Sequence, residues 1–192
     1  MADDGIALDG IELRALRSAL GQYPTGVAVV TTRSAAGPAG VTVNSFGSLS
    51  LDPPLVLWCL RRRSASLAAF TGAEHFAVNV LAAGQERVAR QFAGQATATA
   101  GGAGGAGGAG GAPRADRFAG VDWHPGRHGL PRLDGAVAVF TCRRTAQLPG
   151  GDHVIITGEL LGYDIAGWDP LVFHGGRYGS LTAAAASAAL NH

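Results

Sequence analysis

Four small polar side chains, Asn44, Ser45, Ser48 and Ser50, interrupt an otherwise apolar stretch of the sequence. With the backbone amides around them, they supply hydrogen-bond donors and acceptors at the end of a predicted strand. A flat polar ligand with matching groups along one side could pair with such an edge. The alternative is a polar loop that crosses the end of a barrel, since small polar residues are common in turns.

An arginine run at Arg61, Arg62 and Arg63 follows an apolar segment and precedes Ser64 and Ser66. Guanidinium groups, serine hydroxyls and the amides of a helix N-terminus are groups that bind phosphate. One charge pair at about 4 Å contributes about 4 kcal/mol at an effective dielectric of about 20, before desolvation. This is enough to anchor a cofactor tail loosely, and the competing interpretation is a solvated basic turn.

A glycine turn at Gly150 and Gly151 leads into Asp152 and His153, directly before a predicted strand. A histidine at the start of a strand could contact a ligand or donate a proton. Both residues are equally compatible with an ordinary turn. A second strand end, in PLVFHGGRY, carries two glycines and then Tyr178.

Three other kinds of site receive no support from the sequence. His124 and His128 are four residues apart, but the Pro-Gly pair between them disfavours a helix that would place them on one face. Neither a G-x-S-x-G turn nor an activated cysteine is present. The G-x-G-x-x-G match at 102–107 arises from a Gly-Gly-Ala repeat without a preceding apolar strand, so we reject a dinucleotide site there.

Composition favours one globular domain, since the chain has 192 residues and is 47% hydrophobic. Its 15 basic residues, all arginine, nearly balance 14 acidic ones, which gives no reason to expect a nucleic acid partner. Cys59 and Cys142 lie in apolar runs and are predicted to be free thiols. The sequence shows neither a signal-peptide pattern nor an apolar run of about 18 residues, so we expect a cytoplasmic protein without a membrane span.

Short β-branched segments separated by turns dominate the pattern. We expect an N-terminal helix that begins near Asp9 and Glu12 and ends at Gly21. The remaining predicted helices are 64–70 and 85–92, and the predicted strands are 27–32, 41–43, 55–60, 75–81, 136–145, 153–163 and 171–173. Without regular strand–helix alternation, this order predicts a mainly β protein with a few helices, folded as a closed or nearly closed antiparallel barrel.

A Gly/Ala-rich tract at 95–112 buries almost no side-chain surface, so we predict a flexible insertion there. The predicted organisation is an N-terminal helical segment, 1–22, and a single domain formed by 23–94 and 113–181. The alanine-rich tail, 182–192, is predicted to be disordered.

Six stretches, taken in order, resemble the flavin reductase family, whose members have an FMN-binding split-barrel fold and serve two-component flavin monooxygenases. They are YPTGVAVVTT, GVTVNSFGSLSLDPPLVLWCL, FAVNVL, RFAGVDWHPG, GGDHVIITGEL and PLVFHGGRY, and they span Tyr23 to Tyr178. The resemblance implies an NAD(P)H:flavin oxidoreductase that acts as a homodimer and passes reduced FMN or FAD to a separate oxygenase. The tract at 95–112 departs from the family, in which only a short connection is typical.

The resemblance also implies positions for the two cofactors. The isoalloxazine ring would be lined by Gly40, Val41, Thr42, Asn44 and Ser45. The flavin phosphate or diphosphate would be held by Cys59, Leu60, Arg61, Arg62, Arg63, Ser64 and Ser66. Further flavin contacts would come from Ala93, Gly94, Arg117, Phe118 and Ala119. NADH or NADPH would meet Asp152, His153 and Tyr178, with His153 as the catalytic residue that holds the nicotinamide or shields the stacked rings from water.

Two other functions stay open at this point. One is a flavin-binding protein on the same barrel that retains its flavin as an oxidase, an electron carrier or a non-redox module. The other is an unrelated small β-barrel binding module. The sequence distinguishes neither FMN from FAD nor NADH from NADPH.

Overall fold

The computed structural model describes residues 12–94 and 116–181. Its helices are α1 Leu13–Leu20, α2 Leu67–Gly72 and α3 Glu86–Phe92. Its strands are β1 Thr25–Gly26, β2 Ala28–Ser34, β3 Gly37–Val43, β4 Gly47–Leu51, β5 Pro54–Arg61, β6 His75–Val80, β7 Trp123–Pro125, β8 Pro131–Leu133, β9 Ala138–Gly150, β10 His153–Ile165, β11 Leu171–His174 and β12 Arg177–Ser180. The predictions for 95–112, 182–192, Asp9 and the first residues of segment 1–22 fall outside these ranges.

The largest sheet has seven antiparallel strands in the order β3-β2-β6-β9-β10-β5-β4. Its two ends approach each other just after β3, where the Ser45 hydroxyl accepts the Cys59 N–H of β5 at 2.9 Å. The sheet therefore curls into a nearly closed barrel. A three-stranded sheet, β1-β11-β12, and a β7-β8 hairpin complete the fold. The predicted mainly β, antiparallel architecture is confirmed.

The barrel interior is filled around Trp58, whose exposure is 0%. Its ring lies edge-on to Phe70 and Phe76, with centroid distances of 5.0 Å and 5.8 Å. Because side chains alternate along a strand, β5 directs Val56, Trp58 and Leu60 to this interior. Aromatic pairs of this kind contribute about 0.5–1.5 kcal/mol beyond their buried area.

A second apolar cluster lies between β2 and α3. Val30 of β2 faces the barrel interior, whereas Val29 faces Phe92 and the rest of this second cluster. Strand β2 is therefore buried on both faces, which explains why VAVVTT shows no alternation of apolar and charged residues. This packing fixes α3 against the outside of the barrel.

Asn79 provides the polar connection inside the fold. Its amide donates to the Val29 carbonyl at 3.1 Å and to the Thr31 hydroxyl at 3.2 Å, and its carbonyl accepts the Leu133 N–H at 2.9 Å. Thr31 in turn donates to the Pro131 carbonyl at 2.6 Å. Every buried polar group in this network has a partner, so it anchors the β7-β8 hairpin to the barrel.

One local prediction was wrong, and one alternative fails. The helix after the arginine run begins at Leu67, not at Ser64, because Ser64 takes part in two preceding turns: its N–H bonds to Arg61 and its carbonyl accepts the Leu67 N–H. The second half of the polar stretch is not a loop, since it forms β4 and pairs with β5 across an irregularity between Ser48 and Ser50. The predicted helix ending at Gly21 is confirmed.

Within residues 12–94 and 116–181, no helix is long and apolar enough to cross a membrane.

Candidate functional site

Strand β3 forms one end of the seven-stranded sheet, so one of its backbone edges is unpaired with any other strand of the described chain. Val41 and Val43 direct their side chains to the barrel core. Thr42 points the other way, and its hydroxyl donates to the Ala89 carbonyl of α3 at 2.7 Å. The N–H and C=O groups of this edge are thus the part of β3 that a flat ligand can reach.

Gly40 of β3 lies close against the Phe92 side chain of α3. A β-carbon built on Gly40 would overlap the Phe92 ring, and the Phe118 ring follows at 3.4 Å. Phe92 is fully buried and meets Phe118 edge-on at a centroid distance of 4.9 Å. Any larger residue at this position would displace an aromatic ring, so the close approach requires glycine.

Arg117 connects the chain on the two sides of the segment 95–115. Its Nη1 group donates to the Gly40 carbonyl at 3.1 Å and to the Phe92 carbonyl at 2.9 Å. A β-carbon at Gly94, which has a φ of +76°, would lie 3.2 Å from its Nη2. The resemblance-based group at Ala93, Gly94 and Arg117 is therefore gathered around the end of α3.

A cavity of about 110 Å³ opens beside these residues. Its lining consists of Ala36, Pro38, Ala39, Gly40, Ser66, Asp116, Arg117 and Phe118. Four of these residues, Gly40, Ser66, Arg117 and Phe118, had been assigned to the flavin from three separate stretches of sequence. The fold brings all three stretches to one cavity.

The remaining lining residues were missed by the sequence reasoning. Asp116 accepts the Phe118 N–H on its Oδ1 atom at 2.9 Å and so shapes the segment that carries Arg117. An aspartate two residues before the N–H that it accepts is the pattern of an Asx turn, which is the signal that could have identified it. Ala36 lies in the turn of the β2-β3 hairpin, and Pro38 and Ala39 lie at the start of β3.

The polar stretch and the arginine run lie on the same side of the barrel. Ser45 bonds both backbone groups of Cys59, accepting its N–H at 2.9 Å and donating to its carbonyl at 3.4 Å. Arg61 follows two residues later on the same strand, and all three arginines of the run are exposed. Asn44, the residue before Ser45, is exposed. Positive charge therefore lies close to the end of β3.

The glycine turn is adjacent to the same arginines. His153 pairs with Arg61 in the β5-β10 register. Arg62 donates its backbone N–H to the Asp152 carbonyl at 2.9 Å and its Nε–H to the Gly151 carbonyl at 3.0 Å. The residues assigned to the flavin phosphate and those assigned to the nicotinamide are thus neighbours.

Asp152 orients the His153 ring, because its Oδ1 lies 2.7 Å from Nδ1. This hydrogen bond and the charge of the histidine lower the pKa of the Asp152 carboxyl, with a smaller contribution from Arg61. An ionised Asp152 accepts the proton on Nδ1, which leaves Nε2 of His153 to face a ligand. The histidine side chain is about one-third exposed, at 33%.

Tyr178 packs against other elements than the glycine turn. Its ring meets Phe173 edge-on at a centroid distance of 5.2 Å, and the Arg90 guanidinium lies 5.0 Å from its centroid. Burial raises the pKa of its phenol. These contacts place Tyr178 against α3 and β11 and do not join it to Asp152 or His153.

The two histidines weighed as a metal pair make separate contacts. His124 bonds to Asp134 at 2.7 Å, whereas His128 stacks on His75 with centroids 3.9 Å apart. In the described part of the chain, no three His, Cys, Asp or Glu side chains are grouped as metal ligands. Both cysteines are free, with Cys142 buried and Cys59 half-buried.

Comparison with known proteins identifies the family of the chain. Residues 20–182 match the model of the flavin reductase like domain. The FMN reductase (NADH) SmoA of Agrobacterium fabrum is 41% identical over 170 residues, which cover 88% of this chain and 87% of that protein. The flavin-dependent monooxygenase reductase subunit HsaB of Rhodococcus jostii is 35% identical over 177 residues, covering 92% and 82%.

A solved structure is also similar. The NADH:FAD oxidoreductase SgcE6 of Streptomyces globisporus, in complex with NAD and FAD fragments, superposes with a TM-score of 0.75 at 36% identity. The match covers 89% of this chain and 93% of that one. Some relatives are longer, and the chain spans 48% of a probable flavin reductase from Rhizobium meliloti that is 42% identical.

Proposed function

The chain belongs to the flavin reductase like domain family, and we propose that it is an NAD(P)H:flavin oxidoreductase, which transfers a hydride from NADH or NADPH to FMN or FAD. Its relatives are named for this reaction with FMN and with FAD. The predicted family and split-barrel fold are confirmed by the match over residues 20–182 and by the superposition.

The observation that carries the proposal is the meeting of separate stretches at one face of the barrel. Gly40, Ser66 and Arg117 line one cavity. Beside it lie the unpaired edge of β3 and the exposed arginine run, which together offer backbone donors and acceptors and positive charge. This set fits a flavin nucleotide, because one end of such a molecule is a flat polar ring and the other end is a phosphate.

The roles of the residues follow from these chemical groups. We assign the isoalloxazine to the edge of β3 and the residues just after it, from Gly40 to Ser45. We assign the phosphate to the end of β5 and the turn after it, chiefly to Arg61, Arg63, Ser64 and Ser66. Bound flavin and reduced nicotinamide supply the redox chemistry, in which a hydride passes between their stacked rings. The chain contributes by holding both rings in contact, which is the main requirement of such a transfer. N–H groups and cationic side chains around the site, including Arg117, stabilise the negative charge that builds up on reduction.

His153 is proposed to act on the nicotinamide side. Since Asp152 engages Nδ1 at 2.7 Å, the ring has one fixed orientation and offers Nε2 to the ligand. Its role is to hold the nicotinamide or to shield the stacked rings from water. Tyr178 stays a proposed nicotinamide contact by resemblance alone.

A homodimer is the assembly that this site requires. The cavity measures about 110 Å³, whereas pockets that enclose organic ligands typically measure about 300–1,000 Å³. One chain therefore encloses only part of a flavin nucleotide. Large apolar side chains are exposed on α1 and on the edge strand β4, including Leu13 at 68% and Leu51 at 88%. We propose that a second copy covers apolar surface of this kind and completes the flavin site.

A separate oxygenase is the proposed recipient of the reduced flavin. Support comes from the relative that is named as the reductase subunit of a flavin-dependent monooxygenase. We propose a cytoplasmic site of action, because reduced nicotinamide cofactors are intracellular metabolites.

Turnover with each cofactor pair tests the proposal. Purified protein is mixed with FMN or FAD and with NADH or NADPH, and the loss of nicotinamide absorbance is followed. We expect flavin-dependent oxidation of at least one nicotinamide, and its absence with all four pairs refutes the proposal. Co-elution of flavin on gel filtration without turnover would favour the flavin-retaining alternative, and a monomer in light scattering would contradict the dimer.

A further inference from the structure

Arg62 joins the two turns that carry different cofactors in the proposed function. Its backbone N–H donates to the Asp152 carbonyl at 2.9 Å, and its side-chain Nε–H donates to the Gly151 carbonyl at 3.0 Å. Within the described residues, neither Arg61 nor Arg63 makes a side-chain hydrogen bond to this turn. Arg62 therefore differs from its two neighbours in the arginine run.

The turn that Arg62 holds has little else to fix it. Gly151 and Asp152 are exposed, and the Asp152 side chain is 88% accessible. Gly151 has a φ of +63°, a left-handed conformation that glycine adopts readily. The hairpin pairing of Gly150 with His153 supports only the base of the turn. The tip of the turn, which carries Asp152, is therefore held largely by two hydrogen bonds from Arg62, one from its backbone and one from its side chain.

His153 depends on that tip for its orientation. The ring is fixed through its 2.7 Å contact with Asp152, and the Arg62 side chain binds the carbonyl of the preceding residue, Gly151, at 3.0 Å. Arg62 is thus connected to His153 through the glycine turn. A shift of the turn would move the Asp152 carboxylate and rotate the histidine ring with it.

We propose that Arg62 is a positioning residue for His153 and sets the affinity for the nicotinamide, while flavin phosphate binding is left to Arg61, Arg63 and the serines. This inference rests on the proposed function. It assigns Arg62 a role different from the phosphate contact that the family resemblance implies. It also makes the phosphate-binding turn the support of the nicotinamide turn.

Two substitutions separate the hydrogen bond from the charge. Glutamine has its Nε2 donor at the same number of bonds from the backbone as the Nε of arginine, so Arg62→Gln keeps a donor and removes the charge. Arg62→Met has a similar length and keeps neither. Arg127→Met is the matched control, because Arg127 also donates to a backbone carbonyl of β10, that of Leu161 at 3.2 Å. That carbonyl lies eight residues beyond His153 along the strand.

Steady-state kinetics of the full-length protein supply the readout, with flavin affinity from fluorescence titration. We expect Arg62→Met to raise the KM for the nicotinamide about five- to tenfold, the effect of losing one hydrogen bond. The kcat and the flavin Kd should stay within about twofold, since the residue contacts neither reacting ring. Arg62→Gln and Arg127→Met should both stay within about twofold of the wild type.

Combination with His153→Ala tests whether Arg62 acts through the histidine. In that background, Arg62→Met should cause no further rise in KM, because the effects of coupled residues are non-additive. Equal effects in both backgrounds overturn the inference. So does a weakened flavin Kd with an unchanged nicotinamide KM, the result expected of a phosphate ligand. An active wild type with an unaltered Arg62→Met variant refutes the positioning role alone, whereas an inactive wild type refutes the proposed function as well.

Discussion

Replacement of Gly40 by alanine tests the close approach on which the candidate flavin site is built. The added β-carbon would overlap the Phe92 ring, which is 0% exposed and is packed edge-on against Phe118. Because neither ring has free space, α3 must move away from β3. Overpacking of this kind costs about 1–3 kcal/mol, and a chain of this size loses about 2–4 °C of Tm for each kcal/mol. We therefore expect Tm to fall by about 2–12 °C.

The substitution should also weaken flavin binding. Gly40 lines the cavity, and its carbonyl accepts a hydrogen bond from Arg117 at 3.1 Å. Displacement of β3 would alter both the cavity and this hydrogen bond. Thermal unfolding followed by circular dichroism gives Tm, and quenching of flavin fluorescence gives the Kd. Gly47→Ala is the control, since a β-carbon on that strand residue meets no atom within 4 Å. The reasoning is refuted if Gly40→Ala matches Gly47→Ala in both Tm and flavin affinity.

Three further predictions concern single groups. Asn79→Ala should lower the unfolding free energy by about 1–3 kcal/mol in urea titrations, because the buried Leu133 N–H loses its acceptor; an unchanged midpoint would contradict this. The neighbouring histidine lowers the pKa of Asp152, so the carboxylate contributes stability above its unfolded pKa and loses it as the pH falls through its folded value. Asp152→Asn should thus flatten the acid limb of a Tm–pH profile, and an identical limb would count against the contact. Burial raises the pKa of Cys142 to about 12, so a thiol reagent at neutral pH should modify Cys59 first and reach Cys142 only on unfolding, as mass spectrometry of labelled peptides would show.

Local patterns in the sequence were enough to predict most of the β-structure. Most of the run VAVVTT lies in β2, HFAVNV forms β6, and the pattern from Gln85 to Phe92 contains α3. These segments are predictable because burial on one or both faces selects apolar residues at the period of the element itself. Strand β4 was missed because it is a polar edge strand, in which no buried face imposes such a period.

The family, and with it the class of reaction, could also be predicted from the sequence, since the family's motifs occur in order and are recognised by their residue types. The positions of the motifs relative to one another were not. Arg62 reaches a turn 89 residues away, and Arg117 reaches β3 across 77 residues. The spacing of residues within one helix or strand gives no information about contacts over such long separations.

The sequence by itself determined which residue types are available to bind a flavin and in which elements they lie. Only the tertiary structure decided that Gly40, Ser66 and Arg117 line one cavity and that Tyr178 packs against α3 instead of the glycine turn. The physical reason is that secondary structure depends on neighbours a few residues apart. A site of this kind depends on how a curled sheet brings the ends of distant strands together.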